Sequence, residues 1–216
     1  MDKGYKIVYK AGTGEIVEKK SRFIAEIGPV ESEEAAHKYI EEIKKKNWNA
    51  AHNCYAYTIG DNNQLMRCSD DGEPAQTAGK PMLDVLTLQG IHNVVAVVSR
   101  YFGGTLLGTG GLVRAYSKAV QEGLSNTVII EKVPGKILDL TSEYNGIGKI
   151  QYLLGQRGIQ TIDSEYSDIV KLKLMVPVNE IPQLLTEITE ATNGKSQMRE
   201  EDLVYYAIIE GKVVIL

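Results

Sequence analysis

Five glycines fall within Tyr101-Phe102-Gly103-Gly104-Thr105-Leu106-Leu107-Gly108-Thr109-Gly110-Gly111. That density marks a backbone needing positive φ or close approach. A glycine-rich turn leading from a strand into a helix offers amide N–H groups and the positive end of the helix dipole to an anion. Arg100, Arg114 and Lys118 stand near it as further charges for a phosphate. Arg100, Gly103, Gly104, Gly108, Gly110, Gly111 and Arg114 are therefore the candidate anion-binding or nucleic-acid-binding set. A nucleotide and an RNA phosphate fit equally, and the plainer reading is that the glycines only allow tight turning and packing. A P-loop is excluded, because Gly79-Lys80 runs into Pro81 and Gly108-x-Gly110 is followed by Val113 where a third glycine would stand.

The second dense stretch, from Arg67 to Pro81, crowds Asp70, Asp71 and Glu73 into four positions. Their mutual repulsion calls for Arg, Lys, amide donors or a cation. A magnesium ligand, a general base and a carboxylate that fixes the loop's own amides are the roles open to them. The alternating acidic spacing of a calcium loop is missing, which favours ordered loop scaffolding. His52 and Cys54 lie two apart on one strand face, where a nucleophile pair would need a third orienting group such as Asp70 or Asp71. A packed cysteine and a hydrogen-bonded histidine are the expected alternative, so no catalytic residue is assigned. A zinc set of His52, Cys54, Cys68 and His92 is weaker still, and neither a metal nor a cofactor is expected. His52, Asn53, Asp70, Asp71, Glu73 and Thr77 remain as loop-ordering or partner-binding candidates. Lys44-Lys45-Lys46 with Trp48 behind it reads as a solvated helix end, with RNA contact as the sharper alternative.

The elements that must position these groups are legible in outline. Strands are expected over 5–9 and 15–18, joined by a tight turn at Ala11-Gly12-Thr13-Gly14, with a third strand over 23–27. Ser32 is a candidate N-cap before a helix whose Ala36, Tyr39, Ile40 and Ile43 share one face and whose lysines close the far end. Residues 53–59 and 94–99 read as strands, and Leu112, Ala115, Tyr116, Ala119 and Val120 carry helical spacing over 111–125. From Pro134-Gly135 onward the signals run strand (136–140), helix (146–156, ended by Gly158), strands (159–166 and 169–176), helix (181–191), strand (203–209). That order is the ferredoxin-like βαββαβ motif. The expected class is α+β, with domains at 1–131 and 132–216.

Composition narrows the function. With 43% hydrophobic and 24% charged residues the chain is an ordinary globular one. Its net charge of −4 supplies no global field for nucleic acid or an anionic membrane, so any basic surface is local. Two cysteines are too few for a disulfide framework and fit a reducing compartment, which makes the cytoplasm the expected location. No apolar stretch approaches a membrane span, and no leader-like apolar segment follows Met1.

Four motifs in order carry a resemblance. Ala51-His52-Asn53-Cys54-Tyr55-Ala56-Tyr57, Ser69-Asp70-Asp71-Gly72-Glu73-Pro74, Thr77-Ala78-Gly79-Lys80-Pro81-Met82-Leu83, and Val98-Ser99-Arg100-Tyr101-Phe102-Gly103-Gly104 through Gly110-Gly111-Leu112-Val113-Arg114-Ala115-Tyr116 together resemble the YigZ/IMPACT family. The resemblance implies a first domain like domain 2 of small-subunit ribosomal protein five and a second like the last domain of elongation factor G. Both analogies point at the ribosome. Eukaryotic relatives act in translational control through a kinase pathway that bacteria lack, so that partner does not transfer. The chain departs from the family at Gln76, where glycine is common, and at Leu106, where lysine is common. The expectation is a non-enzymatic, translation-associated protein binding RNA, the ribosome or another protein partner of that machinery through the glycine-rich and acidic loops. The rival is an enzyme on a phosphorylated or anionic small molecule, with the acidic loop as catalytic or magnesium site.

Overall fold

The computed structural model describes residues 4–216, so the first three residues of the expected 1–131 domain lie outside it. The chain divides into two compact units, one spanning Tyr5–Ile130 and the other containing Glu131–Leu216.

The first unit runs β1 (Tyr5–Lys10), β2 (Gly12–Glu18), β3 (Ser21–Pro29), α1 (Glu33–Lys46), β4 (His52–Ile59), β5 (Leu65–Ser69), α2 (Gly79–Leu88), β6 (Ile91–His92), β7 (Val94–Tyr101) and α3 (Thr109–Ser125). Five strands form an antiparallel sheet in the order β2-β3-β7-β4-β5. Its centre, β7, is buried on both faces, which is why Val94 to Val98 is an unbroken apolar run. Val94, Ala96 and Val98 face α2 and α3 together with Phe23, Ala25, Cys54 and Ala56. Val95 and Val97 face α1 with Tyr57, Ala36 and Ile40. Ser32 caps α1 as expected, its Oγ accepting from Ala35 N at 3.1 Å.

The turn expected at 11–14 is not there. Gly12 and Gly14 lie inside β2, because α3 crosses that strand so closely that a Cβ at Gly14 would strike the backbone of Glu122 and Gly123. The reversal is at Lys19 and Lys20, both at positive φ (45° and 71°), with Glu18 paired to Ser21 across a two-residue turn. β1 leaves this sheet and pairs in parallel with β6. Three elements of this unit are not expected from the sequence: β5, the two-residue β6, and α2, whose Pro81 is tolerated in the first helical turn.

The second unit holds β8 (Val128–Ser142) from Glu131 onward, α4 (Tyr144–Arg157), β9 (Gln160–Tyr166), β10 (Val170–Pro177), α5 (Ile181–Ala191), β11 (Gln197–Ile209) and β12 (Lys212–Ile215). Antiparallel pairing orders these strands β12-β11-β8-β10-β9. Without the added hairpin strand β12, this is the ferredoxin-like arrangement, and the fold class is α+β. Leu138, Leu140, Leu172, Leu174 and Val176 pack under Ile150, Leu154, Leu184 and Ile188 of the two helices. The other sheet face carries charge, with Lys173 placed between Asp139 and Glu201 at 3.4 and 3.2 Å.

One acidic side chain shapes the loop between β5 and α2. Asp70 Oδ1 accepts from Ala78 N (3.0 Å) and Gly79 N (2.9 Å), and Oδ2 accepts from Gln76 N (2.8 Å). Ala78 provides no side-chain cap of its own, so Asp70 caps α2 from eight residues upstream. Burial works to raise the Asp70 carboxyl, but the three N–H donors outweigh it and hold the group below its ordinary value.

Two outcomes follow from this packing. Lys20→Gly relieves an L-residue of the left-handed region and is expected to raise the urea midpoint, by about 1 kcal/mol of stability. Asp70→Asn replaces an acceptor facing Gln76 N–H with a donor and is expected to cost about 1–2 kcal/mol at neutral pH. Because the folded-state value is depressed, the carboxylate's contribution is complete above the ordinary Asp value of 3.8 and drains away as pH falls through the lower folded value. Urea melts of both proteins at stepped pH are therefore expected to converge on the acid side.

Candidate functional site

The alternation that builds β7 also builds the site. Arg100 continues the row Val94, Ala96, Val98 and sits in register with Phe23 on one side and His52 on the other. A guanidinium is thus carried to the rim of an apolar layer, only 6% exposed. Its counter-charge is Glu73 from the acidic loop, 8% exposed, whose Oε1 accepts from Arg100 Nη1 at 2.6 Å. The same oxygen accepts from Tyr116 Oη of α3 at 2.7 Å. Arg100 lies between two aromatic faces, 5.4 Å from the Phe23 centroid and 5.6 Å from that of Phe102. Its Nε is buried with no acceptor.

The remaining polar groups lock the loop. His52 Nδ1–H donates to the Asp71 carbonyl at 2.8 Å, and its Nε2 lies 3.9 Å from Glu73 Oε2. Asp71 Oδ2 accepts from Asn53 N at 2.7 Å, and its Oδ1 lies 3.4 Å from Lys44 Nζ. Asn53 Oδ1 accepts from Ser99 Oγ at 2.6 Å on the sheet face opposite His52. Thr77 Oγ1–H and N–H both donate to the Pro74 carbonyl, at 2.7 and 3.1 Å. Gln76 stands at φ 63°, which accounts for the suitability of glycine at that position. The three crowded carboxylates are thus each held by different protein donors. Among the described residues, no three His, Cys, Asp or Glu side chains converge on a metal-sized site.

Cys54 is buried beside this cluster. Its S–H donates to the Asp70 carbonyl at 3.0 Å, and Tyr116 Oη lies 3.3 Å from the sulfur. Burial, aided by the neighbouring carboxylates, pushes the thiol up to about 12. It stays protonated at neutral pH, and the Cys–His arrangement holds no thiolate nucleophile. Burial first, then Cys54 and Glu73, raise Tyr116 as well.

The glycine loop closes over one side of the cluster. A Cβ at Gly103 would strike the backbone of Lys20 and Ser21, and Gly103 N–H donates to Ser21 Oγ at 3.1 Å, so the loop is pinned to the β2–β3 turn. Gly104 lies at φ 83°. Gly108, at φ 71°, stands at the start of α3 with no side-chain cap. Gly110 and Gly111 follow in the first turn of the helix.

The two arginines expected to act together do not meet in one cavity. Arg100 lines a cavity of about 510 Å³ with His52, Glu73, Phe102, Leu106 and Leu112. Arg114 lines another, of about 210 Å³, with Glu18, Lys19, Gly111 and Lys118. Sequence reasoning took Tyr116 only as a helix core residue, and it did not place Lys19 or Phe102 at a site. The lysine run is also partly committed: Lys44 faces Asp71, and Lys46 Nζ lies 2.8 Å from Glu26.

Comparison with known proteins places this geometry. Residues 19–124 match the Impact N-terminal domain, and residues 140–195 match a domain of unknown function, DUF1949. The chain is 43% identical to IMPACT family member YvyE of Bacillus subtilis over 93% of each chain. It is 38% identical to IMPACT family member YigZ of Escherichia coli over 83% of this chain and 89% of that one. A crystal structure described as that of a hypothetical protein superposes with a TM-score of 0.60 at 35% identity, covering 94% of this chain and 99% of the other. Among the described residues no helix is long and apolar enough to cross a membrane. The chain belongs to the IMPACT family.

Proposed function

We propose that this protein is a non-enzymatic, translation-associated regulator in the cytoplasm. In this reading its first domain, 1–131, docks on the phosphate backbone of ribosomal RNA through the start of α3. The observation that carries the reading is the small cavity at Gly111 where Lys19, Arg114 and Lys118 outnumber the one carboxylate, Glu18. All three cations are exposed, and the helix end beside them has no acidic residue in its first turn and no side-chain cap. Its first N–H groups lack intrahelical partners and carry the positive end of the dipole. Local positive charge of this kind is what a chain of net charge −4 needs for contact with RNA.

Arg100 is given a different part here from the one expected of it. Bonded to Glu73, it orders the loops behind the binding edge, and Asp70, Asp71 and Thr77 do the same for the acidic loop. The rival enzyme reading requires at least two of the acidic-loop carboxylates to face a common point. Their separate commitments to backbone amides, Lys44, Arg100 and Tyr116 weigh against it.

Co-sedimentation with ribosomes across a potassium chloride series tests the reading. Wild-type binding is expected to fall with salt and to be abolished by nuclease. Arg114→Ala/Lys118→Ala is expected to reduce the log–log salt slope by about 2 and to weaken binding at every salt concentration. Binding that resists nuclease would assign the surface to a protein partner instead, and an unchanged slope in the double variant would remove Arg114 and Lys118 from the contact.

A further inference from the structure

We propose that the larger cavity, above the Glu73–Arg100 pair, binds a neutral carboxamide or lactam group borne on a planar apolar body. The site lies within the first unit and adjoins the basic edge, sharing Leu107 with it but neither Arg114 nor a lysine. Its volume of about 510 Å³ is that of a small-molecule pocket. Leu106, Leu107, Leu112, Phe102 and Pro74 form its apolar walls, and His52, Glu73 and Arg100 bring polar atoms to it. Leu106 is 82% exposed and Phe102 is 51% exposed, so both present apolar surface at the edge of the cavity.

The polar groups define what fits. Arg100, less than a tenth exposed, leaves its Nε–H without an acceptor, an arrangement that costs free energy until one is supplied. Glu73 Oε2 lies 3.9 Å from His52 Nε2, while the Arg100 and Tyr116 bonds both fall on Oε1. That separation is too long for a direct hydrogen bond, so Glu73 Oε2 has room to accept from a ligand donor. The complement is therefore one acceptor and one N–H donor held close together, as in an amide or a lactam edge. An anion does not complete the set. Gly108 and Thr109 at the open start of α3 also line the cavity, but Arg100 is already neutralised by Glu73, and a carboxylate or phosphate would meet the Glu73 charge without offering it a proton. The flat body of such a ligand fits against the Phe102 ring and the leucine walls.

The test uses the full chain, with NMR titration of its leucine methyl and histidine ring signals. Benzamide and uracil serve as probes of the carboxamide and lactam sources, and benzoate as the isosteric anion. Saturable shifts at Leu106, Leu107, Leu112 and His52 are expected with benzamide, uracil or both, at the millimolar affinity usual for fragments, with benzoate weaker by about tenfold or more. Because Glu73→Gln risks the fold, Leu106→Glu is the companion variant. Its side chain is already in solvent, and it is expected to weaken the bound probe about tenfold while leaving the urea midpoint unchanged. Benzoate binding as tightly as benzamide, shifts mapping away from the cavity, full affinity in Leu106→Glu, or no shift with either amide probe would overturn the proposal.

Discussion

A carboxylate buried beside Tyr116 and Cys54 has to be neutralised where it sits, and in this protein the arginine that does so comes from the central strand of the sheet. The desolvation of Glu73 and Arg100 is offset only by good geometry, which the 2.6 Å contact and the Tyr116 hydroxyl on the same oxygen provide. This pair ties three elements together: the acidic loop through Glu73, β7 through Arg100 and α3 through Tyr116. His52 and Phe102 stand against it, at 3.9 Å from Glu73 Oε2 and with the ring centroid 5.6 Å from the Arg100 guanidinium.

The two loops then divide their work. The acidic loop turns its charge inward, spending Asp70 on the start of α2, Asp71 on the edge of β4 and Glu73 on the arginine. The glycine loop is pinned to the β2–β3 turn at Gly103, and α3 follows from Gly108 with its first turn open. Basic charge therefore stays on the outside, at Lys19, Arg114 and Lys118, while Arg100 serves the interior. The net negative charge of the chain is compatible with a local positive edge of this kind.

Local signals in the sequence carried most of the fold. Ser32 before two glutamates marks the start of α1, Gly158 at φ 66° ends α4, and the order of elements after residue 134 is that of the ferredoxin-like unit. The failures came from contacts distant in sequence. Gly12 and Gly14 look like a turn until α3, more than a hundred residues later, is seen lying on them. The true turn uses two lysines in a conformation that lysine rarely adopts. Gly79-Lys80-Pro81 concealed α2 because its cap, Asp70, lies far upstream. At the site, Arg100 and Arg114 were joined on composition, whereas they line separate cavities. The alternation in β7 already placed Arg100 in a core row, where a buried countercharge is required, and that was the signal for separating them. Tyr116 carried no such mark, since a tyrosine on the apolar face of a helix reads as packing until its hydroxyl partner is known.

The central claim is that Glu73 and Arg100 act as one buried unit on which the site is assembled. A double-mutant cycle of Glu73→Gln and Arg100→Gln, followed by urea unfolding at neutral pH, tests it most directly. Either single change leaves a buried charge without its partner, so the account predicts a coupling energy of about 2 kcal/mol or more, with the double variant less destabilised than the sum of the singles. Additive losses, agreeing within about 0.5 kcal/mol, would contradict it.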